Sequence, residues 1–129
     1  IDTSIPDHAL TREQVVERNM RVVDAHFHNE APDTVEKAIA LYADNISWEA
    51  PNRGIIMNDK AEILEAYRAI FRSVVYHRTT PLRRFATETF VFDDQVAVAT
   101  LVSDEMPSVP FPVGTRMSVR LLHVFQMKD

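Results

Sequence analysis

The chain has 129 residues, 46% of them hydrophobic, which is enough for one ordinary core and too little for two, so a single domain over residues 1–129 is expected. It has no cysteine and only 2 glycines, and no apolar run approaches the ~20 residues needed to cross a bilayer; disulfides, thiolate metal sites, low-complexity linkers and membrane-spanning helices are therefore excluded. The net charge of -5 comes from scattered acids with no run of Lys and Arg to follow a phosphate backbone, so neither nucleic acid nor membrane is an expected partner, and a cytoplasmic location is expected.

After a loose start through Pro6, Thr11-Arg12-Glu13-Gln14 has the spacing of a capping box, in which a threonine hydroxyl and a glutamine side chain satisfy free amides of a helix's first turn. Val16, Met20, Val23 and Phe27 then form one stripe at helical spacing, flanked by Asp24 and His26, and Pro32 ends the helix. Asp33-Thr34-Val35-Glu36 repeats the capping pattern ahead of a short second helix carrying Val35, Ile39 and Tyr42. Ile46, Trp48 and Ala50 alternate with Ser47 and Glu49 in a first strand, Pro51-Asn52-Arg53-Gly54 turns the chain, and residues 55–57 are extended.

Asp59-Lys60-Ala61-Glu62 opens a third helix, with Ile63, Tyr67, Ile70, Phe71 and Val74 on one side. Residues 79–92 are β-prone, and Asp93-Asp94 predicts a tight reversal into a strand over residues 95–106 that puts Val96, Val98, Thr100, Val102 and Asp104 on one face. Pro107, Pro110 and Pro112 hold an extended connection to Gly114. Over residues 115–127 the odd positions read Thr115, Met117, Val119, Leu121, His123, Phe125 and Met127, while Arg116, Ser118, Arg120 and Gln126 fall between them: a half-buried strand with an imidazole in the middle of its apolar face. This order predicts an α+β fold, three helices packed on a curved, mostly antiparallel sheet that forms a cone.

The run Leu41-Tyr42-Ala43-Asp44-Asn45-Ile46-Ser47-Trp48-Glu49-Ala50-Pro51, the capped third helix and the Pro112-Val113-Gly114-Thr115-Arg116 entry to the long strand resemble the nuclear transport factor 2-like superfamily, and within it the SnoaL-like polyketide cyclase and ketosteroid isomerase branches. The resemblance spans roughly residues 11–129 and implies the cone-shaped fold, pairing of two copies through the sheet, and one more strand beyond Met127-Lys128-Asp129, so a final strand is expected to be missing. Ketosteroid isomerases carry their aspartate base directly before the proline of the first strand, where this chain has Ala50, and hold a protonated aspartic acid where this chain has His123.

Two readings of His123 stay open: a core histidine bonded to a neighbouring group, or a general acid or base on a pocket wall. Asp104 is either its partner across a cleft or a solvated loop acid. By resemblance to dehydratases of the superfamily, His77 is a candidate to work with Asp24; the alternative places it on the surface. Trp48, Met20, Tyr67, Val119, Leu121 and Phe125 are the expected ligand contacts, Trp48 as a flat apolar wall. His26 and His28 diverge by roughly 200° on a helix and cannot grip one ion, so no metal is expected, and no cofactor. The expectation is a small lyase, isomerase or cyclase acting by acid–base catalysis on a hydrophobic carbonyl compound, as a homodimer; the alternative is a non-catalytic ligand-binding or dimerisation domain, which the missing aspartate at Ala50 favours.

Overall fold

The computed structural model describes residues 9–106 and 109–128; the expected loose start through Pro6, and Pro107, lie outside them. Helix α1 runs Arg12–His28, and its capping box is formed: Thr11 Oγ1 accepts from the Gln14 amide at 3.2 Å and Gln14 Oε1 accepts from the Thr11 amide at 2.8 Å. Its buried stripe is Asn19, Val23 and His26, so the helix is turned by about one residue from the all-apolar stripe, and Val16, Met20 and Phe27 are only half-buried. The rotation is tolerated because the buried polar groups are satisfied. Asn19 Nδ2 donates to the Thr87 and Glu88 carbonyls, both at 3.0 Å, which ties α1 to a turn of the sheet.

α1 ends at His28, four residues ahead of Pro32, with Asn29 Nδ2 bonded back to the Ala25 carbonyl. Helix α2 (Val35–Ala40) lacks the predicted cap: the Thr34 hydroxyl donates to the Asn29 carbonyl at 3.1 Å and makes no bond to the helix amides. β1 (Trp48–Ala50) and β2 (Ile55–Met57) form an antiparallel hairpin, pairing Trp48 with Met57 and Ala50 with Ile55. A 3-10 turn at Pro51–Arg53 and Gly54 at φ +66°, a backbone state costly for other residues, close it. Helix α3 (Lys60–Ser73) starts where Asp59 accepts from the Ala61 amide at 2.9 Å. Val35, Ile39, Met57, Ile63 and Tyr67 form the core between α2, α3 and the hairpin. Ile63 is fully covered, a burial worth about 1.5–3 kcal/mol.

The second sheet departs from expectation in a way that creates the site. Strand β3 begins at Val74, directly after α3 and earlier than the predicted position 79, and runs Val74–Ala86. The chain reverses at residues 87–89, where Thr87 Oγ1 accepts from the Thr89 and Phe90 amides at 3.2 and 3.0 Å. Asp93-Asp94 is therefore no turn but the middle of β4 (Phe90–Leu101), both residues buried. Two acids in succession mimic a reversal in composition; what makes them a strand is that each has an arginine waiting on β3. β5 (Arg116–Gln126) follows the predicted alternation, and the order is β3-β4-β5, all antiparallel. β4 ends at Leu101, so Asp104 is off the strand, and the buried face of β4 is the odd one, Val91, Asp93, Ala97, Ala99 and Leu101, opposite to the face predicted to hold Asp104. Three helices on antiparallel sheet make the predicted α+β architecture.

Candidate active site

The register of the three long strands sets one row of side chains across the sheet: Arg84 pairs with Asp93, and Asp93 with His123. Residues paired across antiparallel strands project to the same side, so guanidinium, carboxylate and imidazole stand together, facing α1. Arg84 Nε donates to Asp93 Oδ1 and Gln95 Nε2 donates to Asp93 Oδ2, both at 2.8 Å. Arg84 also lies over the Phe27 ring at 5.2 Å and donates through Nη1 to Asp24 on α1 at 3.2 Å. A buried carboxylate needs such partners, because desolvation would otherwise drive it to protonate.

His123 is the unfinished member of the row. Its Nδ1 lies 3.7 Å from Asp93 Oδ2, too far for a hydrogen bond, and is sealed from solvent with no partner among the described residues. Yet 32% of the side chain is accessible. The exposed part must belong to the rest of the ring, so the imidazole turns one nitrogen toward a carboxylate and its other edge toward open space. Phe27 packs edge-on against it at 5.0 Å and Phe125 stacks on it at 5.9 Å. Burial pushes its pKa below the ordinary histidine value; the charges of Glu30 and Asp93 oppose that fall, and His26 and Arg84 add to it. The ring is thus neutral at neutral pH, able to take a proton or to donate one.

A second polar chain runs through the helical side. His26, 3% exposed, donates from Nδ1 to the Ala38 carbonyl at 3.0 Å, and its Nε2 lies 3.2 Å from the Tyr42 hydroxyl and 3.0 Å from Glu30 Oε1. The Tyr42 and Tyr67 hydroxyls are 3.1 Å apart. Burial, with the charge of Glu30 behind it, pushes the Tyr42 phenol up to about 12 and the Tyr67 phenol well above its usual value, although hydrogen bonds from Trp48 act the other way. Both phenols stay protonated, so they serve as hydrogen-bond groups and not as bases.

The remaining predicted residues scatter. Val119, Leu121 and Phe125 share the inner face of β5 with His123, all half-buried. Trp48 and Tyr67 line a largely apolar groove of about 510 Å³ with Met57, Ile70 and Met106. Met20 and Asp24 line a different, shallow cleft of about 610 Å³ between α1 and Arg84, with Arg21 and His28 at its rim. His77 is exposed at a bulge of β3 and bonds the Thr100 hydroxyl at 2.7 Å. It does not meet Asp24, whose partner Arg84 stands about 20 Å farther along the strand at ordinary β rise. Asp104 is exposed. Asp93, Arg84, Gln95, His26 and Glu30 are absent from the sequence-predicted set. The signal for the first two was present as adjacent pairs of opposite charge, Arg83-Arg84 and Asp93-Asp94.

No family model and no curated protein matches the sequence. Among solved structures, the chain is similar to a provisionally assigned polyketide cyclase from Xanthomonas campestris pv. campestris, with a TM-score of 0.71 at 16% identity over 89% of this chain and 84% of that one. It is similar to an LEH-like epoxide hydrolase of M. tuberculosis, at TM-score 0.65 and 15% identity over 93% of this chain and 75% of that one. A provisionally assigned isomerase from Rhodopseudomonas palustris superposes at TM-score 0.63 and 18% identity, over 86% and 80% of the two chains. Identities this low speak for architecture and not for chemistry. With three helices over antiparallel sheet, the chain shares the α+β architecture of these neighbours, consistent with the nuclear transport factor 2-like fold.

Proposed function

We propose that this protein is a cofactor-independent enzyme of the lyase, isomerase or cyclase type that moves a proton on a hydrophobic carbonyl compound, with His123 as the acid–base group. One observation carries the reading: the sealed, unpartnered Nδ1 of His123 beside Asp93, on a ring whose other edge is open. A buried nitrogen without a partner costs stability, and such a cost is retained where the group has work to do. A shift of under an ångström would close the Nδ1 to Asp93 contact, and the imidazolium formed when the ring takes a proton would then be stabilised by the carboxylate. Asp93 is the positioning residue, held by Arg84 and Gln95. Val119, Leu121 and Phe125 supply the apolar surroundings that suit an oily substrate. The neighbours' names, cyclase, isomerase and epoxide hydrolase, are compatible with a small enzyme on this fold.

The test is hydrogen exchange in D2O at the carbon beside the carbonyl in a set of apolar ketones. The protein should accelerate it, and His123→Ala should remove the acceleration while unfolding as the parent does. Full activity in that variant, or no acceleration with any ketone, ends the reading.

A homodimer through the outer face of β3, β4 and β5 belongs to the same proposal. Phe85 and Phe92 stack there at 4.8 Å, next to Leu122 and Val124, which are 58% and 67% exposed. The buried acid of that face, Asp94, is paired with both Arg83 and Arg120. Sedimentation should give a dimer that Val124→Glu converts to monomer; a monomeric parent would remove the claim.

A further inference from the structure

His123 and Asp93 stand directly opposite each other on β5 and β4, where Cβ atoms lie about 4.5–5.5 Å apart, so a hydrogen bond between them needs no movement of the backbone. It is nevertheless open, at 3.7 Å. Gln95, two positions along β4 and therefore on the same side of the sheet, reaches back and donates from Nε2 to Asp93 Oδ2 at 2.8 Å. That is the oxygen that faces His123 Nδ1. Arg84 holds the other oxygen, also at 2.8 Å. A carboxylate turns readily about its terminal bond, but one anchored at both oxygens has its plane fixed.

The two anchors differ in kind. Arg84 supplies the charge that a buried carboxylate needs, whereas the neutral amide of Gln95 supplies none, so what Gln95 contributes is direction. Oδ2 accepts one bond from Gln95 and keeps a second lone pair, so an acceptor for a hydrogen on Nδ1 stands just out of reach. Nothing else among the described residues bonds that nitrogen. Phe27 and Phe125 pack on the ring as apolar neighbours, and the charged or titratable groups acting on it are His26 on α1, Glu30 just after α1, Arg84 on β3 and Asp93 on β4.

We propose that Gln95 is a positioning residue that tethers the Asp93 carboxylate away from His123 and keeps their hydrogen bond open until the imidazole is charged. The inference rests on the acid–base reading of His123 and adds to it the regulation of that group. While the ring is neutral, the amide of Gln95 holds Oδ2 and the imidazole stands alone. Once the ring carries a proton, its charge-assisted bond to the carboxylate is stronger than the bond from a neutral amide, and Asp93 pivots on its Arg84 contact to meet Nδ1. When the proton leaves, Gln95 takes the oxygen back. The tether therefore lowers the proton affinity of His123, because each protonation has to break it.

The experiment uses the whole chain, with the ring of His123 followed by NMR. Gln95→Met keeps the length and bulk of the side chain and removes its donor. His123 should then titrate about one pH unit higher than in the parent, and at about pH 8, with the ring neutral, a hydrogen-bonded Nδ1 proton should appear that the parent lacks. The same substitution made on Asp93→Asn should leave the titration unmoved, because no carboxylate remains to be released. If Asp93→Asn does not fold, the Nδ1 proton decides alone. A Gln95→Met titration equal to the parent overturns the inference. So does a rise without the Nδ1 proton, in which case Gln95 alters the basicity of Asp93 and not its position. Neither measurement needs a substrate, so failure of the tether is told apart from failure of the acid–base reading, which shows as a parent that accelerates no exchange.

Discussion

His26 and His123 lie 5.8 and 5.9 Å from the same Phe125 ring, yet they have opposite fates. His26, between the helices, has both nitrogens engaged and continues into Tyr42, Tyr67 and the packed cluster around Ile63. His123, on the sheet, has one nitrogen unpartnered and an edge left open. An apolar neighbourhood alone does not distinguish a structural imidazole from a chemical one. What distinguishes them is whether the protein completes the hydrogen bonds itself or leaves one for a visitor.

The contrast is broken or sharpened by a pair of substitutions. His123→Ala should lower turnover by about 10²–10⁴, the range for a lost acid–base group, while urea unfolding moves by less than about 1 kcal/mol. His26→Ala should destabilise by about 3 kcal/mol in the same urea experiment, since it opens a cavity and orphans the Ala38 carbonyl and a tyrosine hydroxyl. If the two variants exchange these outcomes, the assignment of roles is inverted. Tyr67→Phe removes one hydrogen bond from the helical chain without opening space and should cost about 1 kcal/mol by thermal melting, with little effect on turnover.

Acidity separates the regions further. The pKa of His123 is lowered by burial below its unfolded value of 6.5, so its contribution to stability is present above about pH 6.5 and is lost as pH falls through that value toward the folded one. Urea midpoints at pH 7.5 and 5.5 should therefore differ less in His123→Ala than in the parent. The smallest effect belongs to the outer face. Hydrogen bonds from Arg120, then from Arg83, hold Asp94 at about 2 against 3.8 unfolded, outweighing its desolvation. Both arginines are more than half exposed to solvent, so the gain is modest. It is present above pH 3.8 and lost as pH falls toward about 2, and Asp94→Asn should flatten an acid-unfolding curve in that window.

Much of the fold is legible in the chain because local physics dictates it. The Thr11 capping box forms as spaced, Asp59 caps α3, and the alternation over β5 fixes which of its residues face inward. The second helix shows the limit: Thr34 and not Asp33 stands at its N-cap, and the Thr34 hydroxyl donates to the Asn29 carbonyl, a contact visible only once the chain has folded back. The site was half legible. His123 stands out as a polar residue in an apolar stripe, whereas Asp93 was hidden by a dipeptide that elsewhere marks turns, and pairing with Arg84 is a long-range fact. His26 reads in the sequence only as a histidine beside a helical stripe, with no sign of its partners, which come from α2 and from the segments flanking it.

The neighbouring arginines of β3 and neighbouring aspartates of β4 clasp each other on opposite sides of the sheet, Arg84 with Asp93 within and Arg83 with Asp94 without. A slip of one position between these strands would turn both arginines to the wrong side and strand a carboxylate under α1, a penalty of about 3–5 kcal/mol for one uncompensated buried charge. The hairpin therefore carries its own proofreading: misaligned pairings are rejected by charge, and the place of the imidazole opposite Asp93 is settled by two salt bridges it takes no part in.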